Sequence, residues 1–247
     1  MLTVGSLFSG IGGIDLGLER AGMTVKWHSE IDPYACRVLK KHWPDVPNLG
    51  NIKEIDWATV EPVDVIAGGY PCQPFSTAGK RQGDKDERHL WPYFRNAISA
   101  IRPRFALLEN VPGHLSMGGT TVIGDLAQIG YDCEWQVIPA SFVGAEHKRE
   151  RLFIVAYTNS SWRNNTNTHR STSTQTKRRH EIFKQNYTSD CLTIPKGHWL
   201  PFAHVDRTTN GVPRRVDRLR GLGNAVVPQV AEYVGRLIME AHNERSV

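Results

Sequence analysis

A chain of 247 residues, 40% hydrophobic and 22% charged, has enough apolar material for one proper core; this is the profile of a soluble globular protein, with one domain and an insert favoured over two equal domains. Its four cysteines, Cys36, Cys72, Cys133 and Cys191, are scattered without a CxxC pair, so neither a disulfide framework nor a metal site is expected and the default compartment is a reducing cytoplasm. The net charge of +5 is uneven: residues 159–220 carry 12 Lys/Arg against 4 Asp/Glu, a balance of +8, and the remainder sums to −3, which suggests a polyanionic partner met through that segment, with a solvated polar loop an equal alternative until the catalytic residues are weighed.

No apolar run reaches membrane length, and Met1 to Leu18 lacks a basic leader and is broken by glycines and Asp15, so it does not read as a signal peptide. Thr3 to Phe8 predicts a first buried strand. Ser9-Gly10-Ile11-Gly12-Gly13 is a glycine turn, and Ile14 to Ala21 continues with helical spacing. Strand, glycine turn and helix bring backbone close to a ligand at a helix N-terminus, although glycine turns are also plain packing devices. Thr24 to Ser29 is the next strand and ends at Glu30, an acid about 20 residues after the glycines that can take both hydroxyls of a ribose. Asp32 and Pro33 open a helix through His42, with Asp32 as its N-cap. A third strand is expected to end at Leu49-Gly50-Asn51-Ile52.

Val63 to Ala67 is a short apolar run that reads as a buried strand, followed by Gly68-Gly69-Tyr70-Pro71-Cys72-Gln73-Pro74-Phe75-Ser76. Two glycines and two prolines break the strand into a stiff loop with one thiol at its tip. A lone cysteine is more often a small buried hydrophobe than a nucleophile; its surroundings decide the matter. Gly79 to Asp84 reads as a lid or an exposed connection, His89 to Ile101 as a helix, and Phe105 to Leu108 as a strand ended by Glu109-Asn110-Val111. Alternation of this kind argues for a largely parallel sheet covered on both faces. The Phe8–Gly13 turn, Glu30, Asn51, Cys72 and Glu109 all fall at expected strand C-termini, the edge at which such sheets bind ligands.

Tyr131 to Pro139 and His147 to Ala156 predict two further strands. With a period of two, His147, Arg149 and Arg151 share one face, and arginines on a core strand are costly unless they meet anions. Thr158 to Asp190 is rich in Asn, Thr, Ser and Arg and cannot make a core alone. His198 to Phe202 is a small apolar anchor. Arg214, Arg215, Arg218 and Arg220 precede Gly221-Leu222-Gly223-Asn224-Ala225-Val226-Val227-Pro228, and a last helix spans Gln229 to His242, with Val230, Val234, Leu237 and Ile238 on one face.

From Leu7 to about Tyr157, and again from about Gly211 to Ile238, the chain resembles the DNA (cytosine-5)-methyltransferases of compact bacterial or phage type. The blocks that carry the likeness are Phe8 to Gly13, Pro71 to Ser76, Glu109-Asn110-Val111, Gly223 to Pro228, and His147-x-Arg149-x-Arg151, in which His stands for the family's Gln. The resemblance implies a Rossmann-like, mostly parallel α/β sheet with helices on both faces and a small polar target-recognition insert. It divides the chain into a catalytic and cofactor-binding part (1–157), a short target-recognition segment (158–212) and a segment returning to the catalytic part (213–247). It implies S-adenosylmethionine as cofactor without a metal, held by Phe8, Ser9, Gly10, Gly12, Gly13, Glu30, Ile31, Asn51, Ile52, Asn224, Ala225 and Val226. Phe8 would lie against adenine, Glu30 on the ribose, and Asn51 near the adenine amine, where many relatives have Asp.

By the same resemblance Cys72, Glu109, Arg149 and Arg151 are catalytic. Cys72 would add to carbon 6 of a flipped-out cytosine, Glu109 would meet ring N3 and the exocyclic amine, Arg149 would orient Glu109, and Arg151 would help the thiolate or bind the base's carbonyl. A close arginine should also depress the pKa of Glu109. Double-stranded DNA is the implied partner, a restriction endonuclease the implied companion, and a monomer in the cytoplasm the implied state. A tRNA cytosine methyltransferase of the same family would lack nothing here except its Cys-Phe-Thr block. A catalytically silent DNA-binding relative would not need all four catalytic residues, nor a nicotinamide dehydrogenase the Cys72 and Glu109 blocks.

Overall fold

The computed structural model describes residues 1–71, 90–158 and 215–244. Six strands, β1 (Thr3–Leu7), β2 (Thr24–Ser29), β3 (Val65–Gly68), β4 (Phe105–Asn110), β5 (Tyr131–Ile138) and β6 (Arg151–Thr158), form one sheet in the order β2-β1-β3-β4-β6-β5. The first four in that order are mutually parallel; β6 runs antiparallel between β4 and β5. The strands read as unbroken apolar runs because both faces are buried. Val65, Ala67, Phe105, Leu107, Phe153 and Val155 point into one core, and Ile66, Ala106, Leu108, Leu152 and Ile154 into the other.

Helices α1 (Gly13–Arg20) and α6 (Pro228–Glu244) cover the first face. They cross so closely that a Cβ on Gly17 would come within 2.5 Å of Ala231 Cβ and of Pro228 O. Helices α3 (Trp91–Ile101) and α4 (Thr120–Gln128) cover the second face. Helix α2 (Pro33–His42) starts as expected: the Asp32 side chain accepts from the backbone N–H groups of Tyr34 and Ala35, with Pro33 in the first turn. A further helix, α5 (Arg215–Asn224), leads into α6.

Several expectations are corrected. No strand ends at Leu49 to Ile52; a single parallel bridge joins His28 to Asn48. Gly50 takes φ +76°, and the Asn48 side chain caps the end of β2 by accepting from Glu30 N and Gly50 N, so the backbone turns rather than extends. The strand expected from His147 begins only at Arg151, because Arg149 has φ +30° and interrupts an extended backbone. The shared face of His147, Arg149 and Arg151 therefore does not exist; His147 is exposed in the preceding loop. Helices α4 and α5 were not expected. Cys72 to Ser76, Gly79 to Asp84 and residues 159–212, on which target recognition and an anchor at His198 to Phe202 are expected, lie outside the described residues. Among the described residues no helix is long and apolar enough to cross a membrane.

Candidate active site

The chain leaves β1 to build β2 on one side and later places β3 on the other, so the carboxyl ends of β1 and β3 flank the point where strand order reverses. A cavity of about 730 Å³ opens there, a size suited to a nucleoside-sized ligand. Its floor is the glycine turn after β1. Phe8 (φ +52°), Gly10 (φ +56°) and Gly12 (φ +81°) are all left-handed, which lets the backbone reverse within a few residues and enter α1. A Cβ on Gly10 would have no neighbour nearer than 4.0 Å, so glycine is needed there for its φ. Gly12 is different: it caps α1 and packs against Trp43, and it does not line the cavity.

Glu30 stands at the end of β2 with its carboxylate gripped by backbone. One oxygen, Oε2, accepts from Gly10 N at 2.7 Å; the other accepts from Ile31 N at 2.8 Å and Asp32 N at 2.7 Å. Asn48 braces this acid from behind, accepting from Glu30 N and donating to Glu30 O, each at 3.0 Å. The carboxylate is thus aimed before any ligand arrives. Beside it Ile31 is 68% exposed although apolar, a surface suited to a flat ring. Asn51 reaches the cavity too, through a turn of its own: its Oδ1 accepts from Lys53 N at 3.1 Å and its Nδ2 donates to Glu54 at 2.8 Å. Phe8, Ser9, Gly10, Gly13, Glu30, Ile31, Asn51 and Ile52 all line the same space, joined from the distant end of the chain by Asn224, Ala225 and Val226.

The second half of the site lies at the ends of β3 and β4. Glu109 is the fifth residue of β4 and 8% exposed. Its Oε1 pairs with Arg151 Nε at 2.9 Å. Its Oε2 rests against Gly69, where a Cβ would come within 2.5 Å. Burial pushes the Glu109 carboxyl up to about 7, against the lowering influence of Arg151 and Arg149. The expected depression is therefore reversed: loss of hydration outweighs two guanidinium groups. The contact expected of Arg149 is also corrected, since Arg151 makes the ion pair with Glu109. Arg149 instead donates from Nη2 to the carbonyls of Gly223 at 2.6 Å and Ala225 at 2.5 Å.

Asn110 donates to Tyr70 O at 3.2 Å and accepts from Val111 N, and the Tyr70 hydroxyl meets His114 Nε2 at 2.6 Å in a buried contact. Together they tie the Gly68–Pro71 loop to the end of β4. Pro71 lines the cavity, and Cys72 is the next residue in the chain. Asn48, Gly69, Tyr70 and His114 were not singled out from sequence. Only Gly69 carried a signal, as half of a Gly-Gly pair closing a strand. Among the described residues no group of three or more His, Cys, Asp or Glu could hold a metal ion.

A doubly wound sheet with an antiparallel strand inserted between β4 and β5, a glycine turn after β1 and an acid after β2 defines the fold of the S-adenosylmethionine-dependent methyltransferases. Residues 2–210 match the family of C-5 cytosine-specific DNA methylases, and the chain belongs to that family. It is 42% identical over 165 residues to the Type II methyltransferase M.Eco47II of Escherichia coli, covering 64% of this chain and 40% of that protein. It is 30% identical over 246 residues to the Type II methyltransferase M1.ScrFI of Lactococcus lactis subsp. cremoris, covering 97% of this chain and 61% of that one. Among solved structures, a candidate DNA modification methyltransferase encoded within an E. coli prophage superposes with a TM-score of 0.56 at 30% identity, covering 68% of this chain and 49% of the other. The chain thus spans 40% to 61% of the length of the curated relatives named here.

Proposed function

We propose that this chain transfers a methyl group from S-adenosylmethionine to carbon 5 of a cytosine in double-stranded DNA. The observation that carries the reading is the meeting of two half-sites in one cavity: a pre-aimed Glu30 beside a glycine turn, and a buried Glu109 paired with a half-buried Arg151 beside the loop that leads to Cys72. The cofactor fits the residues present. Glu30 Oε2, which takes a single backbone bond, keeps an acceptor position for a ribose hydroxyl, Ile31 offers an apolar face, and the space over Gly10 is open. Ser9, Asn51, Ile52 and the Asn224–Val226 wall would complete the binding surface. When bound, S-adenosylmethionine supplies an electrophilic methyl group on a sulfonium.

Carbon 5 of cytosine is too poor a nucleophile to attack that methyl group unaided. The Cys72 thiolate would form a bond to carbon 6, and the displaced π electrons would pass toward ring N3 and carbon 5. Glu109, half protonated near neutral pH, would give its proton to N3 and so quench the charge that builds there. Arg151 holds the Glu109 carboxyl at one oxygen and leaves the other beside Gly69. Carbon 5 would then take the methyl group, leaving S-adenosylhomocysteine. Water would take the carbon 5 proton as the bond to Cys72 breaks and its thiolate departs, which restores the ring, and the N3 proton would return to Glu109.

A stacked base cannot reach these groups, so the target cytosine would have to leave the helix, at a cost of about a few kcal/mol. The basic 159–220 segment would supply phosphate contacts for this. The Type II names of the relatives support DNA as the substrate and a restriction endonuclease as companion. Tritium transfer from methyl-labelled cofactor into duplex DNA of mixed sequence, followed by bisulfite sequencing, tests the reading. Label must appear at cytosine carbon 5, and label on adenine or in no base would refute it.

A further inference from the structure

Most of the cavity is built by residues before Glu109, but one wall is Gly221, Asn224, Ala225 and Val226. That wall is part of no strand. It is the end of α5 and the three-residue link to α6, reached only after the chain has left β6 and travelled through the long polar segment. Two of its contacts bear on its position. On one side Gly13 approaches so near that a Cβ would lie 2.4 Å from Val226 O. On the other stands Arg149, whose Nη2 donates to Gly223 O and Ala225 O.

The physical fit of that second contact is specific. The last carbonyls of a helix have no intrahelical partner and carry partial negative charge, and Gly223 O is one of them at the end of α5. A guanidinium is the side chain best suited to cap them while bridging to the link beyond. Arg149 is held in place to do so. Its φ of +30° is a conformation that non-glycine residues adopt only when their surroundings impose it, and the adjoining Lys148 O accepts from Ala140 N at 2.5 Å. Burial lowers the Arg149 pKa, as does Arg151, yet the group stays a cation at any physiological pH.

We propose that Arg149 is a positioning residue for the cofactor: it latches the Gly223–Val226 wall onto the cavity and acts on methyl transfer through cofactor affinity, not through proton chemistry at the base. The proposal rests on the reading of the cavity as the S-adenosylmethionine site. It separates by contact two arginines that lie two residues apart in the chain: Arg149 bonds the wall, while Arg151 bonds Glu109, which Arg149 influences through its charge alone.

The test is calorimetric titration of the full chain with S-adenosylhomocysteine, for wild type, R149M and R149K, together with steady-state kinetics at saturating DNA. R149M should bind the probe about tenfold or more weakly, as expected for losing hydrogen bonds from a charged donor. Its KM for S-adenosylmethionine should rise in step, with kcat at saturating cofactor kept within a few-fold. R149K, which keeps the charge but reaches one carbonyl at a time, should recover part of the affinity. Unchanged probe affinity in R149M, or a fall in kcat with affinity intact, would overturn the proposal. Should R149M fail to fold, R149K carries the test alone, and wild-type affinity in that variant overturns it. A wild-type chain that does not bind the probe sinks the cavity reading instead.

Discussion

Replacing Glu109 by glutamine should make the protein more stable at alkaline pH while abolishing most of its activity. The unfolded carboxyl titrates near 4.5 and the folded one at about 7. Between those values the native state holds a proton that the unfolded state has released, so stability falls as pH rises through that window. Below pH 4.5 the group makes no difference, and above about 7 its full cost is felt. At about 1.4 kcal/mol per pH unit, that cost is about 3 kcal/mol. Glutamine keeps an oxygen for Arg151 Nε and carries no charge to bury, so E109Q should match wild type near pH 5. Near pH 8.5 it should melt higher by roughly 6 to 12 °C. Thermal melts across pH 5 to 8.5, read by circular dichroism, measure the difference directly. A melting difference that does not change with pH would refute the reasoning, because it would mean that the buried carboxyl is not the group that titrates. Methyl transfer should fall by roughly a hundredfold to ten-thousandfold, the usual worth of a positioned general acid.

Three other outcomes follow from the same contacts. G69A puts a methyl group within 2.5 Å of Glu109 Oε2, so it should reduce kcat by displacing the acid while leaving S-adenosylhomocysteine affinity unchanged; equal loss of both would argue against a local effect. E30Q must turn an amide NH2 toward backbone N–H donors, since both carboxylate oxygens accept from them. Cofactor affinity measured by titration should therefore drop by about 10- to 100-fold, and a loss below threefold would contradict the assignment. DNA affinity should fall steeply and linearly on a log–log plot against salt, because the cations of residues 159–220 displace counterions; a flat response in fluorescence anisotropy would mean that another surface binds the duplex.

Much of the sheet was legible because parallel strands buried on both faces must be continuous apolar runs, as Val65 to Gly68 and Phe105 to Leu108 are. The Asp32 cap and Glu30 were legible for a similar reason, since each works within a few residues of itself or of a glycine turn. What failed depends on distance or on one dihedral angle. The alternation of an assumed strand puts Arg149 on one face with Arg151 and the resemblance gives it Glu109 to orient, but with a φ of +30° its guanidinium meets Gly223 and Ala225, more than 70 positions away. The pKa of Glu109 was misjudged because a sequence displays the nearby arginines but not the removal of water. Asn51 arrives at the cavity on a loop, since Asn48 and Gly50 end the extension that a third strand would need. Helix α4 escaped notice because Gly118, Gly119 and Gly124 mask a short apolar stripe in which only Val122 and Leu126 are fully buried.

Covalent capture tests the central chemistry most directly. In a duplex carrying 5-fluorocytosine, carbon 5 has no proton to lose after methylation, so the bond from Cys72 to carbon 6 cannot be released. Wild-type protein mixed with this duplex and S-adenosylmethionine should give an adduct that survives denaturation and maps to Cys72, while C72S should still bind the duplex and give none. An active wild type that forms no adduct, or an adduct that persists in C72S, would contradict the account.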